Sequence, residues 1–176
     1  SVYEWTRMAM RLKRRALMIV LGLAYFIPCF ALFASIRADE NGLPLIVLLF
    51  ILVWASDIGA YFAGKYLGKT KCAPKISPNK TWAGVWGGVI TAIICANLYV
   101  FYVLPDLFDV YHICIMAVVI SFASMLGDLL ISFIKRLAQV KDTGTIIPGH
   151  GGVLDRVDSL ILAAPAMAYF VFWGFV

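Results

Sequence analysis

Charge is what this sequence has least of. Asp, Glu, Lys and Arg make up 14% of its 176 residues, where soluble globular chains carry about 25%. Hydrophobic residues make up 62%. An ordinary soluble domain is excluded, and an integral membrane protein is expected. The four cysteines (Cys29, Cys72, Cys95, Cys114) form no C-x-x-C pair, which excludes a disulfide framework and a cysteine zinc site. Three of them lie within or beside apolar runs, where free cysteine behaves as a small hydrophobe, and the four are expected as structural thiols. No internal repeat, low-complexity tract or P-loop pattern G-x-x-x-x-G-K-[ST] is present. The start lacks the form of a signal peptide, because its basic stretch leads into an apolar run too long for an h-region. A chain that opens at Ser1 without methionine is expected to be a fragment or a processed product.

Long apolar runs, by contrast, are plentiful. A spanning helix needs about 20 mostly apolar residues, and five stretches meet or approach this: 16–34, 43–63, 82–104, 112–134 and 159–176. The expected fold is therefore all-α and polytopic. It is a single transmembrane unit over 1–176, with about five membrane helices preceded by a basic segment at 1–15.

The few charges are unevenly placed. Segments 1–15, 64–81 and 135–158 hold 14 of the 15 basic residues, and five alternating spans put all three on one side. By the positive-inside rule that side is cytoplasmic. A basic balance of this kind fits a membrane surface, and no nucleic-acid partner is expected.

Two spans carry an acid, Asp57 and Asp128, each about 10 Å below the basic boundary at 1.5 Å per residue. Intramembrane carboxylates are costly and are functional-site hypotheses by default; a hydrogen-bonding role between helices is the alternative, weightier for Asp57. Ser121, Ser124, Asp128, Ser132 and Lys135 recur at spacings of three and four, a polar stripe on one helix face. Close packing through small serines would explain the serines alone.

The 135–158 segment is rich in glycine, including Gly144, Gly149, Gly151 and Gly152, which permits close backbone approach to a ligand. Asp155 and Asp158, three apart at the expected start of the fifth helix, can both face one point. With Asp128 they would make an all-oxygen site suited to Mg²⁺. Lys135, Arg136, Lys141 and Arg156 supply positive charge for phosphate oxygens. The alternative for the aspartates is helix capping or pairing with Arg156. His150, between glycines, is expected to order the loop more than to act directly. In the other basic loop, Ser77, Asn79 and Thr81 are candidate caps of the following helix, whose N-terminus with Lys75 and Lys80 would suit an anion.

The run Ser132-x-x-Lys135-Arg136-x4-Lys141-Asp142-x-Gly144-x3-Pro148-Gly149-His150-Gly151-Gly152-x-x-Asp155-Arg156-x-Asp158 resembles the signature of the phosphatidate cytidylyltransferase (CDP-diacylglycerol synthase) family. Gly127-Asp128, Ser77-Pro78-x-Lys80-Thr81-Trp82 and Trp54-Ala55-x-Asp57 extend the likeness, and Glu4-Trp5 is similar more faintly. The resemblance implies a bacterial inner-membrane enzyme, usually dimeric, with further N-terminal helices and an active site facing the cytoplasm. Such an enzyme joins CTP to phosphatidate for phospholipid synthesis, giving CDP-diacylglycerol and diphosphate, with Mg²⁺ and room for a second cation.

By the same resemblance, Asp128, Asp155 and Asp158 are metal and catalytic positions, with Lys141 and Arg156 acting at the phosphates. Ser77, Lys80, Thr81, Ser132, Lys135, Arg136, Asp142, His150, Gly151 and Gly152 are expected around CTP and the lipid phosphate. Two other classes stay open. One is a CTP-dependent lipid kinase. The other is a cation- or proton-coupled transporter relaying through Asp57 and Asp128, against which stands the missing inverted repeat.

Overall fold

The computed structural model describes residues 2–12, 15–105, 107–140, 142–144 and 152–173. These form α1 (Val2–Ala9), α2 (Arg15–Ala38), α3 (Gly42–Leu67), β1 (Lys71–Ala73), β2 (Ser77–Thr81), α4 (Trp82–Val103), α5 (Val110–Leu137) and α6 (Leu154–Phe172). Helices α2 to α5 follow the first four apolar runs; α2, α3 and α5 extend past their ends, and α4 matches its run to within one residue. Each is long and apolar enough to cross a membrane. The fold is thus all-α and polytopic, apart from one small hairpin.

The fifth expected span is less simple. Helix α6 begins at Leu154, five residues earlier than the apolar run, and so takes in Asp155, Arg156 and Asp158. With these charges it does not join the four helices that qualify by length and composition. Residues 174–176, expected to complete that span, lie outside the described residues.

Two elements were not anticipated from the sequence. Segment 1–15, expected only as a basic stretch, contains α1, whose Glu4, Trp5, Met8 and Ala9 are buried along one face. The 64–81 loop contains the β1–β2 hairpin, antiparallel with Lys71 opposite Thr81 and Ala73 opposite Ser77. Its second strand, S-P-N-K-T, has a proline and no apolar alternation, so nothing in it reads as a strand. Pairing is imposed from the flanks, since α3 ends just before it and Thr81 starts α4. The Thr81 hydroxyl accepts the Gly84 N–H at 3.1 Å, an N-cap.

Helices α3 and α4 pack backbone to backbone. A Cβ on Gly88 would lie 2.6 Å from the Ser56 carbonyl oxygen, and one on Gly87 would collide with Ala63. Small residues are what allow apolar helices to approach this closely in lipid.

The buried apolar residues form two clusters. The larger includes Ile36, Leu49, Leu52, Ala96, Ile120 and Met167. The smaller includes Trp5, Phe26, Ile131, Ile134, Leu154 and Ile161. Along α5 the first cluster stops at Ile120 and the second starts at Ile131. The polar residues Ser121, Ser124 and Asp128 occupy the gap between them.

Candidate active site

Asp128 sits in that gap and is held from two directions. The Lys80 ammonium, carried in by β2, lies 2.7 Å from its Oδ2. Ser132, one turn further along α5, donates to its Oδ1 at 3.1 Å. Lys80 also donates to the Met125 carbonyl at 3.3 Å, so the hairpin is tied to α5 through one side chain. Between them lies a cavity of about 250 Å³, lined by Ser56, Asp57, Asn79, Lys80, Ser121 and Asp128 among others. Asp57 reaches it from α3, and its charge interacts with those of Lys80 and Asp128.

The second half of the site stands on α6. Asp158 is buried, and its Oδ1 accepts the Ser159 N–H at 2.8 Å. It lies close enough to Asp128, Lys135 and Asp155 for their charges to interact. This proximity depends on Gly127: a Cβ there would stand 2.5 Å from the Asp158 carbonyl oxygen and force α5 and α6 apart.

Asp155 is saturated with partners. Its Oδ1 accepts from Lys135 at 2.9 Å. Its Oδ2 accepts from the Thr143 N–H, the Thr143 hydroxyl and the Gly152 N–H, each at 2.9 Å. The Lys135 and Asp155 side chains are 13% and 11% exposed, against 24% and 31% for Lys80 and Asp128. The α6 pair is therefore the less screened by water. Asp155 precedes the apolar run that begins at Ser159.

Of the residues expected from the sequence, Lys80, Asp128, Ser132 and Asp158 are thus gathered at one depth. Lys135, Asp155 and Gly152 form an adjoining network, and Thr81 caps α4 beside the cavity. Ser77 lies at the far end of β2, paired with Ala73. Arg136, Asp142 and Arg156 are exposed. Lys141, His150 and Gly151 lie outside the described residues.

Sequence reasoning weighed Asp57 but left it out of the site, took Asn79 only as a candidate helix cap and Glu4 only as part of a faint likeness, and missed Ser56 and Thr143. For Asp57 the signal was the intramembrane carboxylate itself. Among the described residues, no three His, Cys, Asp or Glu side chains form a ready-made metal cage. The donors at hand are nonetheless hard oxygens: Asp128 beside Asp158, with Asp155 adjoining. One or two carboxylates completed by substrate phosphates is the usual Mg²⁺ arrangement, so this donor set fits that ion.

The family model described as "Cytidylyltransferase family" matches residues 2–173. The chain belongs to that family. It is 48% identical over 136 residues to a protein of Haemophilus influenzae named phosphatidate cytidylyltransferase, covering 76% of this chain and 47% of that one. Proteins of the same name from Bacillus subtilis and Pseudomonas aeruginosa are 41% and 38% identical. They cover 86% and 88% of this chain, and 56% and 58% of their own lengths. This cytidylyltransferase-family chain spans about half the length of the curated relatives it matches.

Proposed function

We propose that this protein transfers the cytidylyl group of CTP to phosphatidate, giving CDP-diacylglycerol and diphosphate. The observation that carries the reading is the Lys80–Asp128 pair beside Asp158, set in a polar layer between two apolar clusters. Within a family of cytidylyltransferases, that layer is where a water-soluble nucleotide and a membrane-held headgroup can meet.

In the proposed reaction a phosphatidate oxygen attacks the α-phosphorus of CTP. A new P–O bond forms as the α–β bridging P–O bond breaks, and diphosphate leaves with that bridging oxygen and its electron pair. The nucleophile is already anionic near neutral pH, so no strong general base is demanded. The protein's task is positioning and charge neutralisation.

Lys80 and Lys135 are placed to meet phosphate oxygens, each now resting on a carboxylate. Ser132 fixes the orientation of the Asp128 carboxylate, while Asp155 holds Thr143 and Gly152 together. Asp128 and Asp158, with Asp155 beside them, would hold Mg²⁺. When bound, that ion neutralises charge on the triphosphate. Lys141, Arg136 and Arg156 belong to the basic 135–158 segment, whose charge would draw anions to the site.

The arrangement in the membrane follows the charge. Helix α6 serves as a fifth crossing, the basic end of the bundle faces the cytoplasm of a bacterial inner membrane, and two copies associate. Product analysis with CTP labelled in the cytosine ring tests the activity. Label in a lipid supports it; lipid phosphate with free CDP would indicate a kinase instead.

A further inference from the structure

Glu4 is a charged-type side chain that is 1% exposed, yet it belongs to the first helix and lies in none of the cavities described. Its carboxylate is spent on the opposite end of the chain. Oε1 accepts the Val153 N–H at 2.8 Å and Oε2 accepts the Leu154 N–H at 2.7 Å. These are donors that the start of α6 cannot satisfy within the helix, and the N-cap residue, Val153, has no side chain able to do so. A carboxylate there also complements the positive end of the helix dipole. The preceding donor, the Gly152 N–H, goes to Asp155. Three consecutive N–H groups are thus held by two carboxylates.

The loop is shaped around this contact. A Cβ on Gly144 would lie 2.9 Å from Glu4 Oε1, and one on Gly152 would lie 2.5 Å from it. Glu4 therefore sits against both residues that flank 145–151, the segment holding His150 and Gly151. Helix α1 is itself anchored. The Trp5 indole N–H donates to the Met18 carbonyl at 2.8 Å, its ring packs edge-on against Phe26 at 5.5 Å, and Gly22 leaves the indole room.

We infer that Glu4 is a positioning residue for the reaction: through the Val153 and Leu154 N–H groups it sets where α6 begins, and so where Asp155 and Asp158 stand opposite Asp128. The inference rests on the cytidylyltransfer reading above. In this role Glu4 acts through the start of α6 and not by contact with substrate. Its removal should leave CTP binding in place and misalign the carboxylates one turn away.

The test is Glu4→Gln in purified protein reconstituted in lipid nanodiscs, with hydrogen exchange at the 152–158 peptide, thermal midpoint and steady-state kinetics measured together. Gln keeps the volume but replaces one acceptor oxygen with an NH₂ that faces an N–H. The expected result is faster exchange at 152–158 and a kcat lowered about 10- to 100-fold, with KM for CTP unchanged. A lower thermal midpoint with unchanged kcat would reduce Glu4 to a structural cap and overturn the inference. So would a raised KM with unchanged kcat, or unaltered exchange.

Glu4→Asp keeps the charge but draws it back from the Val153 and Leu154 N–H groups, and must show faster exchange at 152–158 with a kcat loss in the same direction. If Glu4→Gln does not fold, this variant decides, and parental exchange and kcat in it would overturn the inference. Should the parent protein make no CDP-diacylglycerol, the failure lies with the proposed reaction. The exchange measurement then decides alone whether Glu4 holds the start of α6.

Discussion

Lys80 on the β2 strand and Asp128 on α5, 48 positions apart in the chain, meet at 2.7 Å. The contact makes the basic hairpin part of the site. The five lysines of segment 64–81 look interchangeable in the sequence, each able to serve as a topology signal. Only Lys80, among them, lies within salt-bridge distance of a carboxylate in the described residues.

Lys80→Ala should therefore lower kcat/KM for CTP about 10- to 100-fold, the equivalent of one charge-assisted hydrogen bond. Lys75→Ala, exposed on the hairpin turn, should leave it near the parent value. Kinetics at limiting CTP check this, and equal effects from the two lysines would return Lys80 to a topological role.

Asp57→Asn tests the cavity from its α3 wall. The residue lines the space with Lys80 and Asp128 but makes no direct bond to either in the described structure. Loss of its charge is expected to lower turnover by about tenfold or less, well short of the Asp128 effect. Parallel kcat values for the two variants measure the difference.

Gly88→Ala should destabilise the protein by about 1–3 kcal/mol, because the new methyl meets the Ser56 carbonyl oxygen and the α3 and α4 backbones must separate. A thermal melt in detergent shows this as a lowered midpoint. Ser56 and Asp57 line the cavity from the same stretch of α3, so turnover should fall as well.

The orientation has its own check. A cysteine placed at Lys75, in a background without the four native cysteines, should react with a membrane-impermeant thiol reagent only once the cytoplasmic face is opened. Labelling from outside intact cells would invert the arrangement and deny CTP the site.

The membrane helices were legible because hydropathy acts over runs of about 20 residues and needs no tertiary information. Asp128, Asp155 and Asp158 were legible as acids in unusual places. What they touch was not. The partner of Asp128 arrives on a hairpin whose strands have no strand-like pattern, and pairing there depends on the fixed ends of α3 and α4. Helix α1 is too short to register as a periodic element, and its Glu4 acts on residues about 150 positions away, a distance no local rule spans. The apolar run of the last helix starts five residues after the helix itself because the first turn is polar. Asp155 and Asp158 do stand at the start of that helix, as expected, but the carboxylates that hold this turn, from Glu4 and Asp155, were not legible.

The most direct test of the account is Mg²⁺-dependent formation of CDP-diacylglycerol from labelled CTP, comparing Asp128→Asn with the parent in lipid nanodiscs. Asparagine preserves the volume and can still accept from Ser132, but it removes the charge that faces Lys80 and shares the layer with Asp158. The account predicts Mg²⁺-dependent product from the parent and none above background from a folded Asp128→Asn. Near-parental turnover in Asp128→Asn, with unchanged Mg²⁺ dependence, would contradict it.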